Sequence, residues 1–63
     1  MPLPMQKIVE LLAPEQTAEV RRAAALVLGE LGVRDEAVAA GLQQSLQDGD
    51  VAVRVEAIKA VGE

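Results

Sequence analysis

Asp50-Val51-Ala52-Val53-Arg54-Val55-Glu56-Ala57-Ile58-Lys59-Ala60-Val61-Gly62-Glu63 echoes Thr17-Ala18-Glu19-Val20-Arg21-Arg22-Ala23-Ala24-Ala25-Leu26-Val27-Leu28-Gly29-Glu30 at an offset of 33 residues. A Val-Arg pair, a central Ala, an apolar residue before Gly and a closing Glu all fall in register. A fixed period in this range is the signature of stacked structural repeats, each too small to bury its own apolar face. The expected fold is therefore all-α: two antiparallel helix pairs stacked as a mini-solenoid. Residues 1–63 form one domain, with repeat 1 over about 4–32 and repeat 2 over about 35–63.

Apolar spacing along the chain predicts four helices. Met5, Ile8, Val9 and Leu12 recur at helical spacing and place a first helix from Pro4 to Leu12. Ala13-Pro14-Glu15-Gln16 breaks that pattern as a turn. Val20, Ala24, Val27, Leu28 and Leu31 form the stripe of a second helix, entered at Thr17 and stopped at Gly32. A third helix runs from Asp35 to Gln47 with Val38, Leu42, Ser45 and Leu46 on one side. Asp48-Gly49-Asp50 turns the chain, and Asp50 caps a fourth helix that continues toward Glu63. Breaks this short make consecutive helices antiparallel neighbours.

Composition narrows the function. With no Cys and no His, thiol nucleophiles, imidazole bases and most zinc sites are excluded. A cysteine-free chain fits the cytoplasm. Aromatic residues are absent and the net charge is −4, so neither base stacking nor phosphate binding has its usual residues. Nucleic acid and anionic membranes are not expected partners. No apolar run is long enough to span a bilayer, and Met1-Pro2-Leu3-Pro4 lacks the features of a secretion signal. No cofactor or metal is expected, and no catalysis.

Asp48-Gly49-Asp50-Val51-Ala52-Val53-Arg54 and Val20-Arg21-x-x-Ala24-x-x-x-Leu28-Gly29 resemble HEAT-like repeats, and most closely the short variety named after phycobilisome lyase subunits. The resemblance covers most of the chain. It implies a right-handed stack with the second helices lining one face. It further implies a ladder in which the signature Asp and Arg link neighbouring repeats. Asp50 and Arg54 match both positions; Arg21 matches the Arg, while Thr17 stands in the place of the Asp. Repeat 1 resembles an N-terminal cap. The family implies a non-catalytic role in protein binding or scaffolding. Its alternative is an accessory subunit of a bilin-lyase-like or other cofactor-attachment enzyme, for which no tetrapyrrole site is evident in the sequence.

Several residues invite a functional reading. Arg21 and Arg54 are either anion ligands or ladder residues, and their spacing favours the ladder. Glu15, Glu19, Asp48 and Asp50 cluster where helices begin, which explains them through the helix dipole without acid–base chemistry. Asp48-Gly49-Asp50 begins like a calcium loop but lacks the bidentate Glu. Gly29 and Gly62 sit at equivalent points inside helices, as expected for close helix packing.

The fourth helix is apolar on two sides. Val53, Ala57, Ala60 and Val61 make one stripe; Val51, Val55, Ile58 and Gly62 make the other. Helix 2 carries Ala18, Arg22, Ala25 and Gly29 at the second set of positions. A helix apolar all round is normally buried all round, which two repeats cannot do. Val51, Val55, Ile58 and Arg22 are therefore the candidate interaction surface. Its expected partner is a protein: a second copy in a homodimer, or further repeats.

Overall fold

The computed structural model describes residues 5–32 and 35–62. Four helices follow one another: α1 Met5–Glu10, α2 Ala18–Leu31, α3 Glu36–Ser45 and α4 Val51–Gly62. There is no strand among the described residues. The helices form two antiparallel pairs, α1 with α2 and α3 with α4. The second helices make the most extensive contact, α2 against α4, while α1 packs on both α2 and α3.

Capping fixes where the helices start. The Thr17 hydroxyl accepts from the Val20 N–H at 3.2 Å, and the Asp35 carboxylate accepts from the Val38 N–H at 2.8 Å. Asp50 Oδ1 accepts from both Ala52 and Val53, at 2.9 and 3.1 Å. Each satisfies N–H groups that the first helical turn leaves without an intrahelical partner. At the other end of α2, Gly32 takes a left-handed conformation, φ 67°, and its N–H donates to the Leu28 carbonyl. A side chain there would be strained, so glycine is the natural stop.

Two first helices are shorter than the apolar spacing suggests. α1 ends at Glu10, and the chain then tightens to i→i−3 bonds from Leu11, Leu12 and Ala13. Leu12 still reaches the core, with 9% of its surface exposed. α3 likewise ends at Ser45, and Gln47 and Asp48 continue with i→i−3 bonds. Pro4, the expected start of α1, lies outside the described residues, as does Glu63 beyond α4.

The core is Leu12, Ala24, Ala25, Leu28, Val38 and Leu42, flanked by Met5, Ile8, Val9 and Ala60. Val53 and Ala57 on α4 are also fully buried. Four placements differ from the sequence pattern. Val27 and Leu31 are exposed, because the six residues of α1 cannot cover the far half of a 14-residue α2. Val61 is exposed as well. Ala25, assigned to the less apolar side of α2, is fully buried. The α2–α4 contact is a second buried side of α2, and small residues supply it.

Two glycines permit close approaches. A Cβ on Gly29 would lie 3.0 Å from the Ala60 Cβ and 3.2 Å from its Cα, so α2 and α4 touch almost backbone to backbone. A Cβ on Gly41 would lie 2.9 Å from Leu12 Cδ1, where α3 receives the end of the α1 segment. Gly62 repeats the position of Gly29, yet nothing lies within 4 Å of its Cβ direction. Close packing therefore explains Gly29 and not Gly62 within this chain.

Candidate interaction face and inter-repeat ladder

The turn before α4 organises the polar contacts between the repeats. Asp48 sits at the C-terminal end of the α3 segment, with its carboxylate facing α2. Arg21 donates to it bidentately, Nε to Oδ2 at 2.7 Å and Nη2 to Oδ1 at 3.0 Å. The two side chains are 16% and 11% exposed, so this is a largely sheltered pair rather than a freely solvated one. Planar guanidinium and carboxylate match each other geometrically, which fixes the register of one repeat on the next.

The Arg21 hydrogen bond holds the Asp48 carboxyl below the usual carboxylate range. The Asp50 N–H, donating to Oδ1 at 2.9 Å, adds to that effect, and partial burial opposes it. The same hydrogen bond holds the Arg21 guanidinium more firmly protonated than usual. The Asp48-Gly49-Asp50 segment is thus a turn closed by its own first carboxylate. No group of three His, Cys, Asp or Glu side chains among the described residues is placed to hold a metal ion.

This geometry corrects the expected ladder. Asp50 is not the acid that links the repeats; its carboxylate is occupied by the first N–H groups of α4. Asp48, two residues earlier, takes that role. Arg21 does bridge the repeats, even though Thr17 replaces the signature Asp. Arg54 holds its own turn, donating from Nη1 to the Asp48 carbonyl at 2.6 Å. Arg21 does the same in repeat 1, from Nη1 to the Gln16 carbonyl. The signature Arg therefore has a repeated duty: it ties each second helix to the turn that precedes it. The sequence signal for Asp48 was its position in the Asp-Gly-Asp turn, where only the second Asp suits an N-cap.

An open cleft of about 850 Å³ lies beside this pair, lined by Leu12, Pro14, Ala40, Gln44 and Leu46 among others. Arg21 and Asp48 are its charged lining residues, and they satisfy each other. Among the described residues, the cleft lining offers an anion no cation beyond Arg21, which is paired. Buried Ser45, too, is accounted for: its hydroxyl donates to the Gly41 carbonyl at 3.0 Å, one turn back along α3.

The outward side of α4 is different. Val51 is 63% exposed, Val55 42% and Ile58 59%. All three lie on one side of the helix, opposite the buried Val53 and Ala57. Their equivalents one repeat earlier are Ala18, half-buried, Arg22, exposed, and Ala25, buried. Arg22, at the register position of Val55, is exposed on α2, and its side chain makes no hydrogen bond among the described residues. The structure thus groups Val51, Val55 and Ile58 on one face and leaves Arg22 a layer away. No described helix is long and apolar enough to cross a membrane.

Comparison with known proteins supports what the repeat geometry indicates. No curated protein and no solved structure matches the chain. The family model described as HEAT repeats matches residues 5–63, the whole span of the four helices. The chain belongs to the HEAT-repeat family.

Proposed function

We propose that this chain is a non-catalytic protein-interaction module whose binding surface is the outward face of α4. Helical repeats of this family typically bind proteins, and their extended surfaces suit that role. The observation that carries the reading is the mismatch between equivalent helices. α2 uses the Ala25–Gly29 side to receive a neighbouring helix, while α4 carries the larger Ile58 at the register position of Ala25 and leaves it, with Val51 and Val55, in solvent. The absence of His and Cys, and the structural duties of Asp35, Asp48 and Asp50, support a role without catalysis. Within the family, the spacing Asp50-x-x-Val53-Arg54-x-x-Ala57-x-x-x-Val61-Gly62 supports the short, phycobilisome-lyase-type variety.

Site-specific photo-crosslinking tests the reading. A benzophenone amino acid replaces Val55 and, as a control, exposed Ala37 on α3, in cells that make the chain. Discrete protein adducts are expected from position 55 and not from position 37. No adduct at 55, or the same adducts from both positions, would overturn the proposal.

A further inference from the structure

We infer that Asp48–Gly49 is a modification site, at which the chain isomerises spontaneously to isoaspartate, and that Arg21 is the residue that restrains it. In this reaction the Gly49 nitrogen attacks Asp48 Cγ. A new C–N bond forms, the carboxyl OH and the amide proton leave together as water, and a cyclic imide results. Water then opens the ring. Attack at Cγ restores Asp48. Attack at the Asp48 main-chain carbonyl carbon leaves the backbone running through the former side chain. No other reactant is needed, and the net mass is unchanged.

The sequence singles out this position. Asp35, Asp48 and Asp50 are the aspartates, and only Asp48 is followed by glycine. A side chain on the following residue crowds the attacking nitrogen, and Glu36 and Val51 carry one after Asp35 and Asp50. Those two carboxylates are also engaged as caps of α3 and α4. Asparagine, which cyclises in the same way, is absent from the chain.

The structure leaves the nucleophile open and holds the electrophile. Gly49 is exposed, nothing lies within 4 Å of its Cβ direction, and its N–H makes no hydrogen bond among the described residues. Its φ is not positive, so neither conformation nor close packing explains a glycine there. Asp48, by contrast, is held at every polar atom. Arg21 takes both carboxylate oxygens, and the Asp50 N–H adds to Oδ1. The Asp48 carbonyl accepts from Arg54, and its N–H donates to the Ser45 carbonyl at 3.1 Å. Cyclisation requires the carboxyl to turn onto Gly49 and to lose OH, which an ionised carboxylate does poorly. The Arg21 fork opposes both steps: it aims the group at α2 and keeps it ionised. Isomerisation in turn lengthens the main chain of the turn by a methylene and shortens the stem of the carboxylate. The product therefore loses the pair that sets one repeat on the next.

The test follows isoaspartate by peptide mapping of the full chain, held at physiological temperature and pH. The urea-unfolded parent is expected to isomerise at Asp48 several times faster than the folded parent. Arg21→Gln is compared with Thr17→Ala, which loses a helix cap and keeps the pair, with urea added until circular dichroism shows both equally folded. Arg21→Gln should isomerise several times faster. Where it does not fold, Arg21→Lys, which keeps the charge and loses the fork, takes its place. Gly49→Ala, which meets no neighbour, should fold as the parent does and isomerise several times more slowly. The refolded isoaspartyl chain should melt below the parent. Equal rates in the folded and unfolded parent would overturn the inference. So would a fork variant no faster than Thr17→Ala, or isomerisation at Asp35 or Asp50 as ready as at Asp48.

Discussion

Gly29 and Gly62 hold the same place in the repeat and meet different surroundings. Glycine inside a helix costs roughly 1 kcal/mol relative to Ala, so each position needs a compensating reason. Gly29 has one, the contact with Ala60. Gly29→Val is expected to destabilise by about 1–3 kcal/mol, because the branched side chain forces α2 and α4 apart. Gly62→Ala, in dilute solution, should be neutral or stabilising by up to about 1 kcal/mol. Urea midpoints of the two variants check both; a tolerated Gly29→Val would mean the two helices are not held this close. Asp48 yields a pH prediction. Its pKa is lowered on folding, so the pair with Arg21 stabilises the fold above the ordinary carboxylate range. That contribution is lost as pH falls through the lowered value. The melting temperature is expected to drop below about pH 4, and Asp48→Asn should flatten that acid limb while lowering stability at neutral pH. Arg21 stays protonated throughout and adds no slope of its own near neutrality. Arg21 pairs with Asp48 and not with Asp50. Spacing identifies an N-cap but does not say which carboxylate of an Asp-Gly-Asp turn points across to another helix.

At the level of helices, periodicity located all four elements, and capping residues located three of their starts. The ends of α1 and α3 were less legible, because i→i−3 turns keep the apolar spacing of a helix for a few residues beyond its last i→i−4 bond. Leu12 shows the consequence: it lies past the end of α1 and still fills the core. The stripes themselves predicted burial well for α3 and less well for α2. Val27 and Leu31 carry the right period, yet whether they are covered depends on the length of α1, which lies elsewhere in the sequence. Ala25 was missed for the opposite reason. Small residues carry little hydrophobic signal and are nevertheless what a close helix crossing requires. Leu28 and Leu42, 1% and 5% exposed, are core residues by both criteria. Leu28→Ala and Leu42→Ala should each cost about 2–5 kcal/mol, and Lys59→Ala, on an exposed position, less than about 0.5. Thermal melts followed by circular dichroism separate these outcomes, and a parent-like transition for both Leu variants would contradict the core described above.

At the scale of the whole chain, two repeats provide one interface between second helices and leave its equivalent on α4 uncovered. In a repeat protein, stability is approximately the sum of repeat and nearest-neighbour terms, so an added interface should raise it directly. Appending a second copy of residues 31–63 after Glu63 preserves the 33-residue period. It brings the Ala60 equivalent against Gly62, as Ala60 lies against Gly29, and the Asp48 equivalent toward Arg54, as Asp48 lies toward Arg21. Ile58, at the register position of buried Ala25, then becomes internal, whereas Val55, at that of exposed Arg22, stays at the surface. A side chain such as Ile58 contributes roughly 1.5–3 kcal/mol when fully buried, against the cost of ordering the added helices. The extended chain is therefore expected to melt at a higher temperature than the parent. An extended chain that melts no higher than the parent would show that the α4 face does not accept a neighbour as the α2 face does.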